Sequence, residues 1–358
     1  MVDRLGGAEA IAVSARDTKA LQRARGVPGA VVLLRLVLAY CLRQGGLRST
    51  AAWASAIGLA DISNVALLNR LRGCGDWLAV LVGGLLAAQA PPASRSRLVR
   101  LIDATAVPKA GAAARRGNGI WRVHSTFDLP AERFAGFALT DERGGERLDR
   151  IPVEPGEIRV ADRAYLQPDR IAAVLTAGGD VIVRAGWRNA AWLDAAWLDA
   201  ADEPFDVIAA LCDNAACGLI DRPIGVRRRG DAPPLALRLI AVKKSPQAAE
   251  AARRTARRQA QKGGHHISQA TLAAADWLIL VTSLPPEAFA TADILALYRL
   301  RWRIELAFKR LKSLVGLKRP PGTDARSARP YVLAHLLMIL PLEPLVDALE
   351  DSPRLAAA

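Results

Sequence analysis

The sequence predicts an α/β (α+β) chain: a mixed sheet with flanking helices and a β-rich insertion, preceded by an all-α N-terminal domain. Three observations carry this. Apolar residues recur at three- and four-residue intervals from residue 28 to 89, the period of helices with one buried side. From residue 98 the apolar runs become short, bear β-branched and aromatic side chains, and are separated by Gly or Pro, which is strand-and-turn patterning. Beyond residue 157 such runs alternate with helical ones, as where helices cover a sheet.

Taken in order, residues 1–27 mix acids, bases and alanines and read as an arm or a disordered segment. The helical domain spans 28–92, with breaks at Gly45-Gly46, Gly58 and Gly73. Within it, residues 49–57 and 64–72 form two short helices joined by a Gly-containing turn. That layout fits helix-turn-helix DNA binding, and the same spacing is common in plain helical bundles. Pro91-Pro92 and the following Ala93-Ser94-Arg95-Ser96 make a linker. Residues 98–107, 120–129 and 133–140 are three successive antiparallel strands, 158–161 a fourth, 168–177 a helix and 180–185 a fifth strand. The first part of the mixed-sheet domain therefore covers 93–185.

Residues 186–275 interrupt this rhythm. Trp187, Trp192 and Trp197 accompany a near-duplicated Ala-Trp-Leu-Asp-Ala-Ala, followed by strand-like runs at 205–211 and 235–242 and a basic segment at 250–262. We read this stretch as a β-rich inserted subdomain. The second part of the mixed-sheet domain, 276–317, resumes with a buried strand and continues into one long helix over 292–317. A short helical tail, 318–358, closes the chain, and Pro341 and Pro344 are expected to interrupt its helix.

The net charge of +14 and a pI near 10.3 attract a polyanion over long range. Nucleic acid is the first candidate and an anionic membrane surface the second. A membrane span needs about twenty apolar residues, whereas the run at 77–90 is short, contains Gly83-Gly84 and stops at Pro91. No basic segment followed by an apolar one opens the chain, so a cytoplasmic, nucleoid-associated location is expected. Cys41, Cys74, Cys212 and Cys217 are too few and scattered for a disulfide framework. Cys212 and Cys217 lack the second ligand pair of a zinc site. Arg227-Arg228-Arg229, Lys243-Lys244 and Arg253, Arg254, Arg257, Arg258 and Lys262 are suited to neutralising phosphates. His265-His266 follow two glycines and read as a loop.

Chemistry concentrates in three acids. On a continuous helix Tyr298, Arg301, Glu305 and Lys312 fall within an arc of about 60°, opposite a stripe of Leu300, Ile304, Ala307, Leu311 and Leu314. An acid flanked by cations and a phenol can hold a metal ion while the cations grip phosphates; an exposed face with Arg301–Glu305 pairing would look the same. Asp103 follows the apolar run 98–102, and Asp162 follows the short strand 158–161. Alone, each is an ordinary turn or cap residue. With Glu305 they make a set of hard oxygen donors suited to Mg2+ or Mn2+. Two such ions explain three acids: one activates a water or a DNA 3′-hydroxyl and the other stabilises the departing oxygen.

The helix matches the Tyr-x2-Arg-x3-Glu-x6-Lys signature of transposases of the insertion-sequence-four family. Leu101-Ile102-Asp103 resembles that family's first acidic motif, Trp121-Arg122-Val123-His124 the stretch that follows it, and Asp162-Arg163-Ala164-Tyr165 its second motif, with Ala164 in place of the usual glycine. Trp302 and Phe308 fit the aromatic positions around the third. The resemblance covers roughly residues 98–317 and implies an RNase H-like catalytic domain of the DDE type. It also implies Asp103, Asp162 and Glu305 as catalytic and metal-binding residues with two Mg2+ (or Mn2+). Tyr298, Arg301, Lys312, Arg163 and Lys309 would contact DNA. The expected partners are transposon-end and target DNA, engaged by a homodimer in cut-and-paste transposition. Two alternatives stay open on the sequence: a nuclease that cuts without rejoining, and an inactive DNA-binding remnant. His124, on the strand expected to pair with that of Asp103, either orients a phosphate or packs.

Overall fold

The computed structural model describes residues 1–43, 45–88, 97–109, 119–188, 192–194, 204–320 and 324–350, with backbone alone at 193, 194 and 343–350. The expected linker at 91–96 and Trp197 lie outside the described residues. Five helices open the chain: α1 (Gly7–Asp17), α2 (Ala30–Leu42), α3 (Leu47–Ala56), α4 (Asn64–Gly73) and α5 (Gly75–Ala88). The arm or disordered segment expected over 1–27 is corrected, because α1 inserts Ile11 and Ala15 into the core with no exposed surface. Its short apolar side is too weak a period to read from sequence. Helices α3 and α4 are the expected short pair, with Ser63 capping α4 through Ala66 N–H. Arg70 and Arg72 of α4 are bound within the protein, Arg70 to the carbonyl of Arg23 and Arg72 to Ser327 and Asp324.

A single nine-stranded sheet follows: β1 (Val99–Pro108), β2 (Ile120–Asp128), β3 (Arg133–Asp141), β4 (Ile158–Ala161), β5 (Asp180–Arg184), β6 (Trp192–Asp194), β7 (Leu219–Val226), β8 (Leu235–Lys243) and β9 (Trp277–Thr282), in the order β3-β2-β1-β4-β5-β9-β8-β7-β6. The first three are an antiparallel meander, β1, β4 and β5 are parallel, and β9 returns antiparallel to β5. Parallel neighbours need a crossover, and α6 (Pro168–Thr176) supplies it between β4 and β5. Central β4 is buried at every position, as a strand covered on both faces must be.

The stretch 186–275 continues this sheet, since β8 pairs with β9 along six residues from Arg238↔Thr282 to Lys243↔Trp277. Residues 205–211, expected as a strand, instead form α7 (Val207–Asp213). Asp206 caps it by accepting from the N–H groups of Ile208 and Ala209, a local bond that overrides the apolar run. Strand β7 escaped the sequence because Pro223 interrupts its pattern. The basic segment is α8 (Pro246–Lys262), followed by α9 (Gln269–Ala275).

The expected single helix over 292–317 is two: α10 (Thr291–Arg299) and α11 (Trp302–Ser313). At the break Leu300 and Arg301 N–H donate three residues back, to Leu297 and Tyr298, a tightened turn that ends α-helical phase. The last helix, α12 (Ala325–Glu350), runs through Pro341 and Pro344, which were expected to stop it. Its buried Leu336, Leu337, Ile339 and Leu340 join one apolar cluster with α2, α5, one face of the sheet and α11. No single described helix is long and apolar enough to cross a membrane; α4 and α5 reach that length together but are bent by 53°, and Trp77, Leu78 and Leu81 of α5 are core residues.

The segment joining β3 to β4 is tied to the sheet by Arg159, which is 1% exposed. Its guanidinium donates to the carbonyls of Leu148, Ile151 (3.0 Å) and Pro152 (2.6 Å) and pairs with buried Glu157. Arg159→Ala should therefore cost about 3–5 kcal/mol in urea unfolding followed by tryptophan fluorescence, because Glu157 is left as an uncompensated buried charge. Removing both charges together should cost clearly less.

Candidate active site

Strand register places the first two acids. Ile102 of β1 stands opposite Ala161 of β4, so Asp103 and Asp162 follow at the same level on neighbouring strands spaced about 4.8 Å apart. Asp103 lies in the middle of β1, inside the strand expected over 98–107; Asp162 caps the short 3-10 turn Arg163–Tyr165. Each uses one oxygen locally: Asp103 accepts from Ala104 N–H at 2.8 Å and Asp162 from Ala164 N–H at 2.8 Å. Ala164 needs no positive φ, so the alanine in place of glycine carries no strain.

Asp103 shares its face of β1 with Leu101 and Thr105, and α11 lies over that face through Ile304, Ala307, Phe308 and Leu311. Phe308 packs on Phe134 at 5.6 Å between ring centres. An open cleft of about 550 Å³ results, lined by Asp103, Thr105, Glu305, Phe308, Lys309 and Lys312. Burial raises the Asp103 carboxyl from 3.8 to about 6; Ala104 N–H and Arg301 oppose the rise, and the charges of Asp162 and Glu305 add to it. The three acids thus share one electrostatic neighbourhood.

They do not share one ligand shell. Among the described residues no three His, Cys, Asp or Glu side chains stand close enough to hold one metal ion. Glu305 is 54% exposed and bonded to Arg301 at 2.5 Å. The break between α10 and α11 divides the polar stripe: Tyr298 is 8% exposed, whereas Lys309 and Lys312 are exposed at the cleft. Burial pulls the Arg301 guanidinium down, but Tyr298, Glu305 and Asp103 outweigh it and its net direction is upward. Arg163 is exposed beside Asp162.

His124 pairs in register with Ala104, so its side chain leaves the face opposite Asp103. It is 3% exposed and bonds to Thr140 Oγ1 at 2.8 Å. Burial, then the charges of Arg150 and Arg122, push it down to about 4, which keeps the ring neutral. Of the tryptophans, Trp192 and Trp277 are core residues, while Trp302 is 52% exposed. Sequence reasoning missed Glu146, which faces Arg122 at 3.6 Å and whose carboxyl is raised by burial, with Asp162 adding to the rise. It sits in an irregular segment where no periodicity could mark it.

A mixed sheet in this order, with one aspartate on a strand, a second directly after the parallel neighbouring strand, and an acid-bearing helix packed over the first, is RNase H-like. The chain belongs to the DDE transposase family: the model for the transposase DDE domain matches residues 94–340. It is 35% identical over 360 residues to the transposase for insertion sequence element IS421 of Escherichia coli, covering 98% of this chain and 94% of that protein. It is also 35% identical over 357 residues, with the same coverage, to the InsL protein of insertion sequence element IS186A of Escherichia coli strain K12.

Asp103 also bears on stability. A carboxyl whose folded-state pKa is raised binds its proton more tightly when folded, so its contribution is greatest below pH 3.8 and is lost as pH climbs through about 6. In the absence of divalent ions, Asp103→Asn should raise the unfolding free energy at pH 7.5 by about 1–3 kcal/mol, and the gain should shrink toward zero near pH 4. Denaturant melts at the two pH values check this.

Proposed function

We propose that this transposase performs cut-and-paste transposition with Asp103, Asp162 and Glu305 as its catalytic acids, acting as a homodimer on transposon-end and target DNA at the nucleoid. The observation that carries the reading is the β1–β4 register, which brings Asp103 and Asp162 to one level of the sheet, together with the cleft that Asp103 and Glu305 both line.

The donor set fits divalent ions. Among the described residues no ion pair within salt-bridge reach meets Asp103 or Asp162, so two partly buried carboxylates lie close to each other without a matched cation. Hard oxygen donors with uncompensated charge are what Mg2+ or Mn2+ requires. Asp103 and Asp162 would hold such ions from the sheet, and Glu305 would join them by turning away from Arg301. When bound, two ions would activate the attacking water or 3′-hydroxyl and stabilise the leaving oxygen.

The protein's own groups orient the DNA. Release of Glu305 frees one edge of the Arg301 guanidinium, a planar fork suited to a phosphate. Lys309 and Lys312 line the cleft within reach of neighbouring phosphates, and Arg163 extends the cationic rim on the β4 side. Tyr298, buried behind Arg301, orients that guanidinium by a side-chain hydrogen bond.

Asp103→Ala, Asp162→Ala and Glu305→Ala should each abolish Mg2+-dependent cleavage of the element's end while gel-shift binding to that DNA persists; unchanged cleavage in any one of them rejects the assignment. Lys312→Ala should leave the chemistry intact, weaken end binding and lower the salt dependence of binding by about one charge. Products joined to a supplied target separate transposition from simple cutting.

A further inference from the structure

The turn after β4 holds a polar atom that nothing described above uses. Tyr165 ends the 3-10 turn that Asp162 caps, and its N–H donates to the Asp162 carbonyl at 3.2 Å. The ring is 1% exposed, in the apolar cluster that includes Leu166, Ile171 and Val183. Its hydroxyl is buried and has no hydrogen-bond partner among the described residues. A buried donor without an acceptor is costly, and one that persists in a native fold calls for an explanation.

The surroundings narrow the acceptor. Burial, then the charges of Asp103, Glu146 and Asp162, drive the phenol's pKa upward, so the group is an O–H donor at any working pH. Glu146 already faces Arg122. Asp162 is the N-cap of the turn that Tyr165 ends, so carboxylate and phenol belong to one short turn, and the Asp162 charge is among those the phenol feels. Asp162 spends one oxygen on Ala164 N–H and, among the described residues, accepts nothing at the other.

We infer that Tyr165 is a positioning residue, whose buried hydroxyl holds the second oxygen of Asp162, directly after a small side-chain rotation or through one water, in the orientation from which it acts with Asp103. The inference rests on the assignment of Asp103 and Asp162 as acids of a divalent-ion site. The hydroxyl touches neither DNA nor the reacting atoms; it acts by removing a rotational freedom that the carboxylate would otherwise lose on binding an ion.

The test is Mn2+ binding to the full-length protein without DNA, followed by electron paramagnetic resonance, alongside thermal melting. Tyr165→Phe keeps the ring and removes the hydroxyl. The expected result is Mn2+ affinity weaker by about tenfold, the lower end of the cost of losing a partner of a metal ligand, with a melting temperature equal to or above that of the parent. Parental Mn2+ affinity in Tyr165→Phe overturns the inference, and so does weaker binding accompanied by a lower melting temperature, which marks a structural hydroxyl. Asp162→Ala run in parallel separates the two levels: if it too binds Mn2+ as the parent does, the acid-site reading itself fails.

Discussion

The parallel pairing of β1 with β4 is the constraint on which the rest depends. It brings residues 59 positions apart in the chain, Asp103 and Asp162, to one level of one sheet, and it does so through backbone hydrogen bonds that ignore side-chain charge. Two like charges in a partly buried place are unfavourable; burial first, and then the charges of Asp162 and Glu305, push the Asp103 carboxyl upward. The surrounding structure has to hold the pair together against it. Apolar β4, the α6 crossover and the Arg159 clasp do so from the sheet side, while α11 closes the other face with Phe308 packed on Phe134. Consistency elsewhere in the fold is what allows a local conflict to persist at a functional site.

The same packing explains why the helical and sheet parts are not loosely joined. α12 belongs to the apolar cluster that contains α2, α5 and β1, and Arg72 of α4 reaches Asp324 at the approach to α12. A chain end and an N-terminal domain thus share one core with the strand that carries Asp103. On the far side, β6 to β8 extend the sheet by adding to β9, so the central strands lose their exposed edge and β9 gains partners on both sides. The cationic rim sits where α11 leaves this core: Ile304 and Leu311 point inward, Lys309 and Lys312 outward.

Around the acids the side chains form two tiers. Glu305, Arg301, Lys309 and Lys312 belong to α11 and its approach, and their partners can change because they are at least partly exposed. Arg122, His124, Glu146 and Tyr165 are largely enclosed, and among the described residues His124 Nδ1 and the Tyr165 hydroxyl have no partner. Enclosed polar groups rigidify what they touch once satisfied, so the lower tier is suited to orientation and the upper tier to gripping a moving substrate.

Much of this was legible in order along the chain. The meander, β4, α6 and β5 follow from period and turn chemistry, because those signals are local: residues that alternate or recur along a segment face the same way whatever surrounds it. The three acids stood out by their motifs, not by periodicity. What local signals could not carry was decided by tertiary contact. Nothing near residue 300 announces the tightened turn that splits α10 from α11 and sends Tyr298 inward while Glu305 stays in the open. Pro341 and Pro344 argue against a helix that runs on through them. Asp206 turned an apolar run into α7 through two side-chain bonds. Glu146 and the Tyr165 hydroxyl acquire meaning only beside Asp162, since a charge or a donor is ordinary in water and consequential only where folding has removed the water around it.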